Sequence, residues 1–251
     1  MADQLPIRSS NPVLSADTFR GARLRAGEDA MTVSGAVNKS LLSFAILMVA
    51  GAYTWNLGIG NPQSQMLMMI GFLGGFAAAI ATSFRPTWAP ITTPVYAALE
   101  GLALGGLSLV FETRFPGIVS QAIFLTFGTL GAMLLAYRAG LLRATPALTR
   151  IIMTATMGIA LVYLIGFVLS FFGSSIPLIH GSGPIGIVFS LIVVGVAALN
   201  LVLDFDMIER GADSGAPQYM EWYGAFALLV TLVWVYFEIL RLLQKLQEER
   251  R

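Results

Sequence analysis

Five carboxylates stand inside or at the edge of apolar runs: Glu100, Asp204, Asp206, Glu221 and Glu238. A charge at the centre of a membrane costs about 2.5–3.5 kcal/mol on insertion scales, so such acids are kept where they take up protons, attract hard cations or close ion pairs. Asp204 and Asp206, in the stretch LNLVLDFDMIER at 199–210, differ by about 200° of helical rotation, face opposite ways and form no joint pair on a helix. Asp206 has Arg210 four residues on, the spacing of a helical ion pair, which predicts a salt bridge at the water boundary. Asp204 has Met207 and Ile208 where a cation would have to stand, and Asn200 one turn before it extends a short polar stripe. Asp204 is therefore the candidate working acid, set against the plainer reading of an interfacial acid touching water.

The other three acids divide in the same way. Glu100, in AALEGLALGG, has no basic residue within four positions, and Tyr96 one turn earlier is a hydrogen-bond donor within reach. It reads equally as a carboxyl in an ion path and as a protonated carboxyl bridging helices. Glu238 has Arg241 three residues on, and its face runs back through Trp234 and Thr231 to Gly224, a polar or small stripe suited to helix partners. Glu221 opens the last apolar run in QYMEWYG, where the helix dipole favours an acid, which predicts a structural role. His180, the single histidine, lies in the Gly/Ser/Pro stretch GSSIPLIHGSGP and reads as loop chemistry. With one histidine and no cysteine, the chain is poorly equipped for a zinc site, which usually takes three or four N/S ligands.

The elements that must carry these groups are membrane helices. The 251 residues are 56% hydrophobic and 12% charged, with a mean hydropathy of +0.76. The apolar residues fall in runs near the roughly 20 residues that a bilayer core demands. Seven spans are predicted, at 37–57, 65–83, 93–112, 118–137, 151–172, 185–204 and 222–243. Short loops make neighbouring helices antiparallel, so residues 36–245 read as one all-α polytopic bundle. Residues 1–35, polar and mixed in charge, read as a disordered cytoplasmic tail, and 246–251 as a charged C-terminal tail. Small residues at every fourth position, Ala97, Gly101 and Gly105 on the third span and Gly71 and Gly75 on the second, predict close helix packing.

Lysine and arginine placement predicts an N-terminus inside, since the inner segments would hold Arg8, Arg20, Arg23, Arg25, Lys39, Arg85, Arg138, Arg143, Arg150 and Arg210 and the outer loops only Arg114. Arg241, Lys245, Arg250 and Arg251 then fall on the outer side. Either the last segment is re-entrant or the earlier charges dominate.

LDFDMIE with YMEWYGAFALLVTLVWVYFEILRLL resembles the C-terminal signature of the Bax inhibitor-1 (transmembrane Bax inhibitor motif) family. ALEGLALGGLS resembles the glutamate–glycine motif of that family, and MTVSGAVNKSLLSFAILMVAGAYTW the opening of a bacterial branch with a long N-terminal tail. Together these cover most of the chain after residue 30. The resemblance implies six helices around a central, C-terminal seventh. It also implies a pH-sensitive calcium leak governed by two aspartates on the sixth and seventh helices that share a proton near the cytoplasmic side. Asp204 matches the sixth-helix aspartate and Glu100 the third-helix glutamate, whereas the second aspartate falls on Thr231. A threonine cannot supply the second charge. Glu238 lies seven residues later on the same face, about 10 Å along the axis, too far to share a proton at the original position. Either Glu238 or Glu221 replaces the missing acid by another geometry, or this branch is gated otherwise.

The expected function is cation passage governed by intramembrane carboxylates, with Asp204, Glu100, Asn200, Thr231 and Glu238 along the path or sensing pH. Calcium would be a permeant ion, Asp204 its candidate ligand and neighbouring oxygens its remaining shell, with no resident cofactor. The competing expectation is a non-conducting interaction or quality-control partner of other membrane proteins. Enzymatic chemistry lacks its parts: the one histidine is a poor base for a serine nucleophile, and no two acids form a protease pair. A retinal-type receptor lacks a lysine inside a span, since Lys39 and Lys245 flank the first and last. A net charge of +1 gives no field for nucleic acid. The expected partner is the lipid bilayer of a bacterial inner membrane, and the sequence is silent on oligomeric state.

Overall fold

A computed structural model of the chain describes residues 29–173 and 181–250. The expectations for residues 1–28, His180 and Arg251 lie outside the described residues. Seven long helices follow in order: α1 Val33–Asn56, α2 Pro62–Phe84, α3 Ala89–Arg114, α4 Ile118–Arg138, α5 Pro146–Ser170, α6 Pro184–Asp213 and α7 Tyr219–Glu249. All seven are long and apolar enough to cross a membrane. A 3₁₀ turn at Pro86–Trp88 joins α2 to α3, and no strand forms among the described residues beyond an isolated bridge between Ala30 and Pro217.

The helix starts follow local chemistry. Thr32, Asn61 and Thr145 cap α1, α2 and α5 by accepting hydrogen bonds from Gly35 N, Gln63 N and Leu148 N. Pro62 and Pro146 occupy first-turn positions, where a missing N–H costs nothing.

The ends differ from the hydropathy edges in an instructive way. The sixth span was expected to stop at 204, yet α6 continues to Asp213. Nothing in FDMIERGAD breaks a helix; only lipid contact ceases there. Gly215, at φ +67°, stops it: Gly215 N donates to Ala212 O at 3.0 Å and Ala216 N to Gly211 O at 3.0 Å, the Schellman arrangement. The tail boundary at 35 moves as well. Residues 29–31 already pair with the α6–α7 connection, with Met31 N donating to Ala216 O at 2.7 Å and Gln218 N to Asp29 O at 2.9 Å. At the other end the last segment is one unbroken helix of 31 residues rather than a re-entrant hairpin.

Burial ranks the helices. In the most apolar window of α7, 56% of residues are buried, against 44% in α3 and α6 and 17–22% in the others. Helices α1, α2, α4 and α5 carry large exposed apolar side chains such as Val49, Phe72, Phe76, Phe124, Leu135 and Phe167, which suit lipid. The C-terminal helix is thus the most enclosed element.

The chain forms two compact units. The first comprises Met1–Arg114 and Asp204–Val230. In it α3 packs extensively on both α1 and α2, which barely touch each other. The glycine spacing explains why: Gly105 meets the Gly51 backbone and Gly101 meets Leu47 O so closely that a Cβ has no room. On α7, Phe226 takes the Tyr96 ring edge-on at 5.0 Å, and Thr93 Oγ1 donates to Trp222 O at 3.1 Å. The second unit comprises Phe115–Leu203 and Thr231–Arg251. Its α5 and α6 pack through Ile152 and Leu203 and through Asn200, whose Nδ2 donates to Thr156 Oγ1 at 3.0 Å.

Candidate functional site

Because α6 runs past Asp206, the two aspartates are held in helical geometry and separate as expected. Asp204 has no exposed surface, and Asn200, on the same face one turn earlier, is 2% exposed. Asp206 turns outward and binds Arg210, with Nε–Oδ2 at 2.9 Å and Nη2 donating to Oδ1 at 3.0 Å. The structural ion pair is therefore present, and the plainer reading of Asp204 as an acid in contact with water does not hold. A wholly buried carboxylate on a membrane helix is the kind of group retained for a task.

Glu100 sits on α3 beside α2, and the glycine at position 75 makes room for it: a Cβ there would lie 2.9 Å from Glu100 Oε2. One turn before it, the Tyr96 ring packs on Phe226. Thr231 is buried, as a position facing protein should be.

The two candidates for the second acid are each ion-paired. Glu238, 2% exposed, pairs with Arg241 at 3.3 Å and accepts the Tyr163 hydroxyl, which lies 2.9 Å from each carboxylate oxygen. Arg241 also stacks over the Tyr163 ring, 4.9 Å from its centroid. Glu221, also 2% exposed, forms an ion pair with Lys39 of α1. It accepts further hydrogen bonds from Thr32 N at 2.8 Å and Thr32 Oγ1 at 3.1 Å. A Cβ at position 35 would collide with this carboxylate, which accounts for Gly35 in the first turn of α1. The Lys39 ammonium lies 5.8 Å from the Trp222 ring centroid. Glu221 thus clasps the start of α1 to the start of α7.

Sequence reasoning missed Lys39 and Thr32 as partners of Glu221 and Tyr163 as the partner of Glu238. The available signal was scarcity. Lys39 is one of two lysines in the chain, and a cation beside a membrane helix invites a search for its acid.

Among the described residues no group of three or more His, Cys, Asp or Glu side chains converges to hold a metal. Calcium at Asp204 would have to rely on neutral oxygens for most of its shell.

Seven membrane-length helices with carboxylates buried along them define an integral membrane protein. The family model described as Bax inhibitor 1 like matches residues 11–248, and the chain belongs to that family. Comparison with curated proteins and with solved structures returns no match.

Proposed function

We propose that this protein passes cations across the membrane, with Asp204 as the acid that governs passage and its response to pH. The observation that carries the reading is the complete burial of Asp204 on a membrane helix, with Asn200 extending its polar face. Glu221 and Glu238 each have a cation of their own, which favours Asp204 as the governing acid. Asp204, and not a carboxylate pair at Thr231, is the acid that gates passage in this reading.

A carboxylate attracts a cation when ionised and ceases to when protonated, so flux falls on acidification in this reading. Calcium, a hard cation suited to carboxylate, amide and hydroxyl oxygens, is the permeant ion in this reading. No enzymatic step and no resident cofactor is part of it. Charge placement supports an N-terminus on the inner side of the membrane.

The test is calcium entry into dye-loaded liposomes containing the full chain. Asp204→Asn alters the flux or its pH dependence. Unchanged flux at every pH removes Asp204 from the path. Absence of flux in the unaltered protein, with membrane proteins co-purifying from native membranes, supports the non-conducting partner instead.

A further inference from the structure

The connection between α4 and α5 gathers arginines in a stretch of chain without acids. Arg138 ends α4, Arg143 lies in the connection and Arg150 stands in the second turn of α5, and all three are exposed. No Asp or Glu occurs from residue 113 to residue 203. Among the described residues none of the three arginines forms an ion pair. The backbone that displays them is held by its own hydrogen bonds. Leu141 N and Leu142 N both donate to Ala136 O, at 3.0 and 3.2 Å, and Gly140, at φ +71°, lets the chain turn there. Thr145 N donates to Arg143 O at 2.7 Å, and the Thr145 side chain caps α5. The Arg143 side chain folds back over this turn: a Cβ at position 140 would lie 3.0 Å from its Nη2 and 3.3 Å from its Nε. One guanidinium is thus laid against the end of the helix that already carries another.

The apolar residues beside the arginines set their depth. Leu141, between Arg138 and Arg143, is 80% exposed, and Leu135 on α4 and Ile151 on α5 are exposed as well. A leucine this open among arginines suits the boundary of a bilayer, where it enters the acyl layer while the guanidiniums stay level with the headgroups. The anion at that depth is a lipid phosphodiester, and a guanidinium meets two phosphate oxygens with two parallel N–H bonds.

We propose that the α4–α5 turn binds the headgroup of an anionic phospholipid, with Arg138 and Arg143 on the phosphodiester, Arg150 adding to the attraction and Leu141 against the acyl chains. A zwitterionic lipid brings the same phosphate with an ammonium attached, which the arginines repel, so the turn selects net negative charge. Arginines that serve only to orient the chain during insertion need no lipid partner in the folded protein. The site is independent of cation passage.

The test uses the full chain in a non-ionic detergent, outside any membrane, so that orientation plays no part. Native mass spectrometry follows retention of dioleoyl phosphatidylglycerol, with dioleoyl phosphatidylcholine as the neutral-headgroup comparison. The parent retains the glycerol lipid at lower concentration than the choline lipid. Arg138→Gln and Arg143→Gln each weaken that retention roughly fivefold, and the two together weaken it further. Leu141→Ser weakens it too, whereas Arg250→Gln, which removes a charge from the exposed end of the chain, leaves it unchanged. Excess inorganic phosphate does not displace the lipid. Equal retention of the two lipids overturns the proposal, as does retention that survives both glutamine substitutions. An equal loss in Arg250→Gln overturns it as well, since net charge alone would then be responsible. Displacement by inorganic phosphate would make the turn a site for a soluble anion and not for a lipid.

Discussion

Glu221 and Glu238 ride on one helix and are equally enclosed, yet each is neutralised by different means. Glu238 takes its cation from its own coil, Arg241 three residues on, and adds Tyr163 as a hydroxyl donor. Glu221 takes its cation from Lys39, 182 positions away, and adds two hydrogen bonds from the cap residue of α1. The first arrangement trims the cost of an acid within one element. The second uses the acid to join elements distant in sequence, so its removal is felt as loss of tertiary structure. Asp204, on α6, is as buried as both.

The sharpest way to break this comparison is to remove the distant cation. Lys39→Met leaves Glu221 buried without its partner and costs about 3 kcal/mol of stability, the low end of the range for a broken buried pair because Lys39 keeps some exposure. Thermal unfolding in detergent measures it, and Lys39→Met with Glu221→Met recovers most of the loss. A single variant as stable as the parent would mean that the clasp contributes nothing. A smaller effect is expected at the other glutamate. Tyr163→Phe removes one hydrogen bond to a charged acceptor, about 1.5–3 kcal/mol, with Arg241 still in place. Equal losses from Tyr163→Phe and Lys39→Met would erase the distinction between local and tertiary neutralisation. The smallest effect belongs to Asp206→Asn. Its pair with Arg210 is local, and the arginine is 44% exposed, so the change is within about 0.5 kcal/mol.

What could be read in the sequence follows the same division. Hydropathy marks all seven helices because lipid demands apolar length. It ends α6 at Asp204, whereas the backbone ends at Gly215, because hydropathy reports the solvent and a helix stops only at a residue that breaks it. Pairs at three or four positions, Arg241 with Glu238 and Arg210 with Asp206, are legible because helix geometry alone brings them together. Lys39 with Glu221 and Tyr163 with Glu238 depend on which helices pack, and no spacing rule encodes that. The close approach of α3 to α1 and α2 was visible in Gly101, Gly105 and Gly71, since small residues leave a periodic mark. Lys245 looked like a flanking charge, because its hydrogen-bond acceptor, Gly186 O, lies on another helix. The burial of Asp204 was legible by elimination, as the one acid of the pair without a cation on its own coil.

Calcium flux through liposomes, followed as a pH profile for the parent chain, Asp204→Asn and Asp206→Asn, tests the central claim most directly. The parent conducts with a pH-dependent rate, Asp204→Asn shifts or flattens that profile, and Asp206→Asn, two residues away on the outward face, leaves it in place. Superimposable profiles for the parent and Asp204→Asn, or the same change in both variants, would contradict the assignment of passage to the buried aspartate.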